Sequence, residues 1–183
     1  MVTEAKLTYQ DYANTPDDER YELINGELIL VPAPNISHQR SNRKLGVQIT
    51  IFVDQHELGE VFLAPTDVVL SDTEVVQPDV LFISKERRHI IMEANVQGAP
   101  DLVVEILSPS TAKRDWQAKR DLYAKHGVKE YWLADPANGI VWVMLLRDGV
   151  LEIVETYASG DTLTSPMLEE FEMAVDDLFG ERS

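Results

Sequence analysis

No cysteine occurs in this chain of 183 residues, which removes disulfides, thiolate zinc sites and cysteine nucleophiles together. Histidine is scarce: the four, at positions 38, 56, 89 and 126, have no metal-site spacing, and no His-Glu-x-x-His helix is present. No glycine-rich phosphate loop follows a strand, and Ser108 lacks the glycine-flanked elbow of a serine hydrolase. No apolar stretch approaches the ~18 residues that span a bilayer. Met1 to Gln10 shows no leader pattern, so the expectation is a cytoplasmic protein with no membrane role. Positive charge is also short, with 16 Lys and Arg against 32 Asp and Glu, a formal charge of −16. That balance excludes coating of nucleic acid by general attraction. The shortage is uneven, however. From Glu130 to Ser183 only Arg147 and Arg182 are basic, whereas Arg40, Arg43 and Lys44, then Lys85, Arg87 and Arg88, then Lys113, Arg114, Lys119, Arg120, Lys125 and Lys129 form three clusters. A local anion-binding face is compatible with that pattern, as are ordinary solvated charges.

The hydrophobic fraction of 44% is normal for a globular protein, and the length suits one domain spanning residues 1–183. Thr8 and Asp11 resemble a capping box for a short helix over Leu7 to Asn14. Asn25 and Gly26 divide "YELINGELIL" into a hairpin. Leu45, Ile49, Phe52 and Val53 have helical spacing within Ser37 to Leu58, although Gly46 and the β-branched residues weaken that helix. Strands are expected at Glu60 to Ala64, Asp67 to Leu70 and Asp79 to Ile83. Leu102 to Leu107 is a continuous apolar run of the kind found in strands covered on both faces. Thr111 is placed to cap a helix that Gly127 ends, and Glu130 to Asp135 reads as the next buried strand. Asp148 and Gly149 turn a hairpin between Ile140 to Leu146 and Val150 to Tyr157, and the tail from Pro166 to Phe179 is expected to be partly helical. This order gives an α/β or α+β fold with a central mixed β-sheet flanked by helices.

One residue does not suit its place. In a helix over Thr111 to His126 the apolar stripe is Ala112, Leu122 and Tyr123 with Trp116 at its edge, and Lys119 falls in the middle of it. The other side, with Lys113, Arg114, Gln117, Asp121 and Lys125, is already well supplied with polar residues. An inward ammonium needs an anionic partner. Glu105 interrupts "LVVEIL", and Asp79 opens "DVLFI" after Pro78, so two carboxylates and a lysine are candidates to converge, provided the two strands pair. Such a group suits metal-dependent hydrolysis, with Asp79 and Glu105 holding a hard cation and Lys119 orienting water or contacting phosphate. A purely structural Glu105–Lys119 ion pair would explain the same two residues. Asp79 could close a turn at its strand start. His38 is expected on the surface at a helix start, with a place at the site as the alternative. Glu22, in the first hairpin, is expected to be exposed.

Asp79 after Pro78, Glu105 in an apolar strand and Lys119 in the following helix resemble the PD-(D/E)XK nuclease superfamily. The stretches "YELINGEL", "SHQR", "APTDVVL", "VQPDVLFI", "DLVVEILSPST" and "RDWQAKRDLYAKHGVKEYWLADP" are similar, more closely, to the Uma-type restriction-endonuclease family. The resemblance implies a restriction-endonuclease-like core, magnesium (with manganese as a substitute), Asp79 and Glu105 as metal ligands, and Lys119 as the lysine of the motif. It brings in Glu22 and His38 as supporting residues. The superfamily's lysine usually lies two positions after the second acid, where this chain has Leu107; in the Uma-type family it has moved into the helix. The implied activity is hydrolysis of phosphodiester bonds, in DNA, with Arg40, Arg43 and Arg120 among the DNA contacts and a homodimer to cut two strands. The rival reading is a catalytically inactive interaction module on the same fold.

Overall fold

The computed structural model describes residues 5–16, 18–110 and 112–180. Asp11 accepts hydrogen bonds from the backbone and hydroxyl of Thr8, at 2.8 and 2.9 Å, and so starts helix α1 (Tyr9–Ala13). The hairpin of β1 (Tyr21–Ile24) and β2 (Glu27–Leu30) turns on Asn25 and Gly26, both at positive φ, as a two-residue turn of matching twist requires. Asn35 caps the long helix α2 (Ile36–Gln55) by accepting from His38 N at 2.9 Å. Next come β3 (Gly59–Leu63), β4 (Val68–Ser71), β5 (Glu74–Val76), β6 (Val80–Ser84), a 3-10 turn over Lys85–Ile90, β7 (Val96–Gln97) and β8 (Leu102–Ile106). A helix follows in three parts: α3 (Ala112–Arg114), a π-helical turn (Asp115–Lys119) and α4 (Arg120–His126). The expected cap at Thr111 lies outside the described residues. The chain continues with β9 (Glu130–Asp135), β10 (Ile140–Arg147), β11 (Val150–Tyr157), β12 (Thr162–Thr164), β13 (Glu172–Ala174) and α5 (Val175–Phe179).

The expected mixed sheet is present as six strands in the order β11-β10-β9-β8-β6-β3, with β8 and β9 parallel and the other neighbours antiparallel. A second, five-stranded sheet, β2-β1-β5-β4-β7, gathers the short early strands. Residues of α2 four apart, Leu45, Ile49 and Val53, are fully buried in one core with Val80, Val104, Ile106 and Trp132 of the six-stranded sheet. Gly46 has a packing reason: a Cβ there would stand 2.6 Å from Leu63 Cδ2, so the missing side chain lets β3 lie close to the helix. Leu122 and Tyr123 of α4 bury themselves with Leu81, Val103, Tyr131 and Leu133. Each such apolar side chain contributes about 1.5–3 kcal/mol on burial. Among the described residues no helix is long and apolar enough to cross a membrane.

Much of the scarce positive charge is used internally. Asp101, 1% exposed, accepts from Ser84 N at 2.9 Å, Arg87 at 3.2 Å and Lys129 at 2.7 Å. Burial opposes its ionised form, but these three donors outweigh burial and hold its pKa below the usual carboxylate value. A lowered folded pKa gives stability that is present above the unfolded pKa and lost as pH falls through the folded one. Asp101→Asn is therefore expected to lose about 1–3 kcal/mol at pH 7, with the gap to the parent narrowing towards pH 3 in urea unfolding. A gap of constant size across that range would contradict the assignment.

Candidate active site

Strand alternation sends Leu102, Val104 and Ile106 to the core under α2 and Val103 to the core under α4. Glu105 has the parity of Val103 and so faces the helix that follows. The register Val80↔Val104, Leu81↔Val103, Phe82↔Leu102 places Asp79, one step before β6, opposite Glu105. The pairing that the sequence permitted is realised, and Asp79 Oδ2 accepts from Ile106 N at 2.7 Å.

Lys119 points inward as expected, and its Nζ lies 2.8 Å from Glu105 Oε1 and 2.8 Å from Glu22 Oε1, with Asp115 Oδ1 at 3.8 Å. Glu22, Glu105, Asp115 and Lys119 are each 4% exposed or less. The expected exposure of Glu22 is thus corrected. Both Glu22 and Leu23 of β1 are buried, because one faces this cluster and the other packs with Tyr12 and Val75. His38 is also not a free surface residue: its Nε2 stands 3.1 Å from Asp79 Oδ2 with the side chain 12% exposed. Capping by Asn35 puts it in the first turn of α2, against the end of β6.

Three residues of the site, Asp115, Arg114 and Arg20, escaped sequence reasoning. Asp115 was legible in principle, since it lies one turn before Lys119 on the same helix face. Arg114 was assigned to the solvent face, yet its Nη2 lies 3.4 Å from Glu22 Oε2. The continuous α-helix expected there is interrupted by the π-helical turn, whose longer hydrogen-bond spacing changes how Arg114 is phased against the residues after it. Tyr123 OH adds a donor to Glu105 Oε1 at 2.6 Å, and Gln77 N donates to Glu22 Oε1 at 3.0 Å.

The charges set the chemistry. Burial disfavours the Lys119 ammonium, but Glu105, Glu22 and Asp115 outweigh it, so its pKa is raised and it stays charged at neutral pH. Burial pushes the Glu105 carboxyl above the usual range against the pull of Lys119, with Asp115, Asp79 and Glu22 adding to the push. Tyr123, buried beside Glu105, is raised as well and remains a neutral donor. Lys119, Arg114 and Arg20 share the cleft with four carboxyl groups at positions 22, 79, 105 and 115, and a bound cation would favour the ionised form of Glu105 over the protonated one. These side chains line a cleft of about 60 Å³ together with His38, Ile106 and Ser108. Among the described residues no three His, Cys, Asp or Glu side chains form a ready metal cage. Magnesium does not need one, since it keeps several waters and takes one or two carboxylates. Glu22 Oε2, held only at ion-pair distance from Arg114 and without a hydrogen bond among the described residues, has acceptor capacity left at the same place. The all-oxygen donor set fits a hard cation.

Arg40 and Arg43 are exposed on α2. Arg120 is half-buried, and its guanidinium donates to the Leu151 carbonyl, with Nε at 2.8 Å, which ties the helix to β11. Arg20, which the sequence did not single out, stands at the site. It lines the cleft and donates to Gln77 Oε1 from Nε at 3.0 Å and Nη2 at 2.8 Å.

A mixed sheet that pairs two acid-bearing strands, with an ammonium returned from the next helix, defines a restriction-endonuclease-like, nuclease-type fold. The chain belongs to the Uma2 family, described as "Putative restriction endonuclease", which it matches over residues 8–176. It is 25% identical over 139 residues to the uncharacterised protein sll1609 of Synechocystis, covering 74% of this chain and 78% of that one. Its fold is that of a crystal structure from Anabaena variabilis titled a "putative nuclease belonging to DUF820", with a TM-score of 0.78 and 22% identity over 94% of this chain and 97% of the other.

Proposed function

We propose that this protein is a magnesium-dependent endonuclease that hydrolyses phosphodiester bonds in DNA, with manganese able to substitute. The observation that carries this reading is the Lys119 ammonium held 2.8 Å from Glu105, the residue that faces Asp79 across paired strands. Asp79 and Glu105 would hold the metal, which when bound supplies Lewis acidity and a more acidic water. Asp79 is kept in place by Ile106 N and His38, and Glu105 by Tyr123. Lys119 is the proton-bearing group beside Glu105, and it orients the attacking water or steadies the phosphate. Arg20 and Arg114 put positive charge at the cleft and Arg40 and Arg43 extend it along α2, so binding relies on a local face and not on net charge. A cytoplasmic homodimer would present two sites to two strands.

The test is incubation of plasmid DNA and of an equivalent RNA with the protein. Cleavage of DNA is expected with magnesium or manganese and is expected to stop on chelation. If no millimolar divalent metal supports cleavage and calorimetry detects no magnesium binding, the interaction-module reading replaces this one.

A further inference from the structure

A second cleft, of about 330 Å³, adjoins the first, and Gln77 lines both. Its volume is at the lower end of the range for small-molecule sites, about 300–1,000 Å³. Phe62, Pro65, Ile91 and Met92 supply apolar walls, and Asn95 with Asp67 supplies polar groups. Asn95 is 8% exposed; its Nδ2 donates to Tyr9 OH at 2.9 Å, while Oδ1 receives no hydrogen bond from the described residues. A buried amide oxygen without a donor costs free energy that a ligand can recover. The side-chain donors of Gln77 and Thr66 are spent: Gln77 Nε2 gives to Asp67 Oδ1 at 2.8 Å and Tyr12 OH at 3.2 Å, and Thr66 Oγ1 gives to the Leu63 carbonyl at 2.7 Å. The cleft therefore combines apolar faces with acceptors, and its acidic side chains, Asp67 and Glu93, repel phosphate.

We propose that this cleft is a subsite for a nucleobase bearing an exocyclic amino group, as adenine, cytosine and guanine do, taken out of the stack while the adjoining phosphate lies at the catalytic cleft. The ring would lie against Phe62, Pro65 and Met92, and the amino group would donate to Asn95 Oδ1. The link to the catalytic cleft rests on the nuclease reading above, whereas binding of the base itself does not need it.

The test uses free nucleosides and metal-free protein, so that it can succeed or fail independently of cleavage. By calorimetry, adenosine and cytidine are expected to bind about tenfold more tightly than inosine and uridine, the worth of one hydrogen bond to an otherwise unpaired acceptor. Asn95→Leu is expected to remove the preference. Tyr9→Phe, which breaks only the structural contact of Asn95, is expected to keep it. Met92→Trp, at a position 44% exposed and outside the core, fills the cleft and is expected to abolish binding if Asn95→Leu fails to fold. Equal binding of amino and keto bases, a preference for keto bases, no binding at millimolar nucleoside, or a preference that survives Asn95→Leu would each overturn the proposal.

Discussion

Lys119→Met is expected to lower the free energy of unfolding by about 3–5 kcal/mol, the cost of breaking a buried charge cluster from one side. Lys119 is 2% exposed, and its removal strips Glu105 and Glu22 of a partner 2.8 Å away. Arg114 still faces Glu22, but Glu105 keeps only the Tyr123 hydroxyl. The variant can relieve the strain by protonating Glu105, whose pKa is already raised by burial. A carboxyl with a raised folded pKa gives stability that is complete below its unfolded pKa and is lost as pH rises. Glu105 of the parent is itself raised to about 8 and loses stability in step with the variant below that value. The deficit of Lys119→Met is thus expected to be level from pH 5 to about pH 8 and to grow above it, in urea unfolding without added metal. Adding Glu105→Gln should recover part of the loss, with an interaction energy of about 0.5–3 kcal/mol in a double-mutant cycle. If Lys119→Met matches the parent within about 0.5 kcal/mol, the range of an ordinary surface change, then the ammonium does not hold the cluster together.

Asp79→Asn carries the largest expected effect on activity. Its oxygen can still accept from Ile106 N, so the strand end and the fold are kept, while the charge offered to a cation is lost. The proposed magnesium-dependent cleavage is expected to fall by about 10²–10³-fold, the equivalent of several kcal/mol of lost charge stabilisation. Magnesium affinity should weaken in the same variant with the urea midpoint little changed. Cleavage at the parental rate would remove Asp79 from the metal site. A loss of cleavage accompanied by unfolding would instead assign Asp79 to holding β6 and His38 in place.

The uneven visibility of the site follows from the range of the interactions involved. Lys119 was conspicuous because helix periodicity is a local rule: Trp116, Leu122 and Tyr123, three and four residues away, are apolar and its own side chain is charged. Glu105 was conspicuous for the same reason within a strand run. Asp115 obeys that local rule too and was readable one turn before Lys119. Glu22 and His38 were not, because each is buried by a partner far along the chain, Lys119 in one case and Asp79 in the other. A short alternating hairpin looks half-exposed until another element covers its polar face. Arg120 shows the converse, since a cation within a basic cluster looks free in the sequence and here donates to a distant carbonyl, that of Leu151.

The sequence by itself determined the longer elements and their order, though not the short strands β5, β7, β12 and β13, together with the turn at Asn25 and Gly26 and the presence of an inward lysine with acids to meet it. These depend on side-chain periodicity and on φ preferences, which act within a few residues. Only the tertiary structure decided that β6 pairs with β8 so that Asp79 faces Glu105, that Glu22 and Arg114 close the cluster, and that a π-helical turn carries Asp115 and Lys119. Those outcomes follow from strand register and from the need to satisfy every buried charge at once, a condition set by the whole fold and not by any one segment.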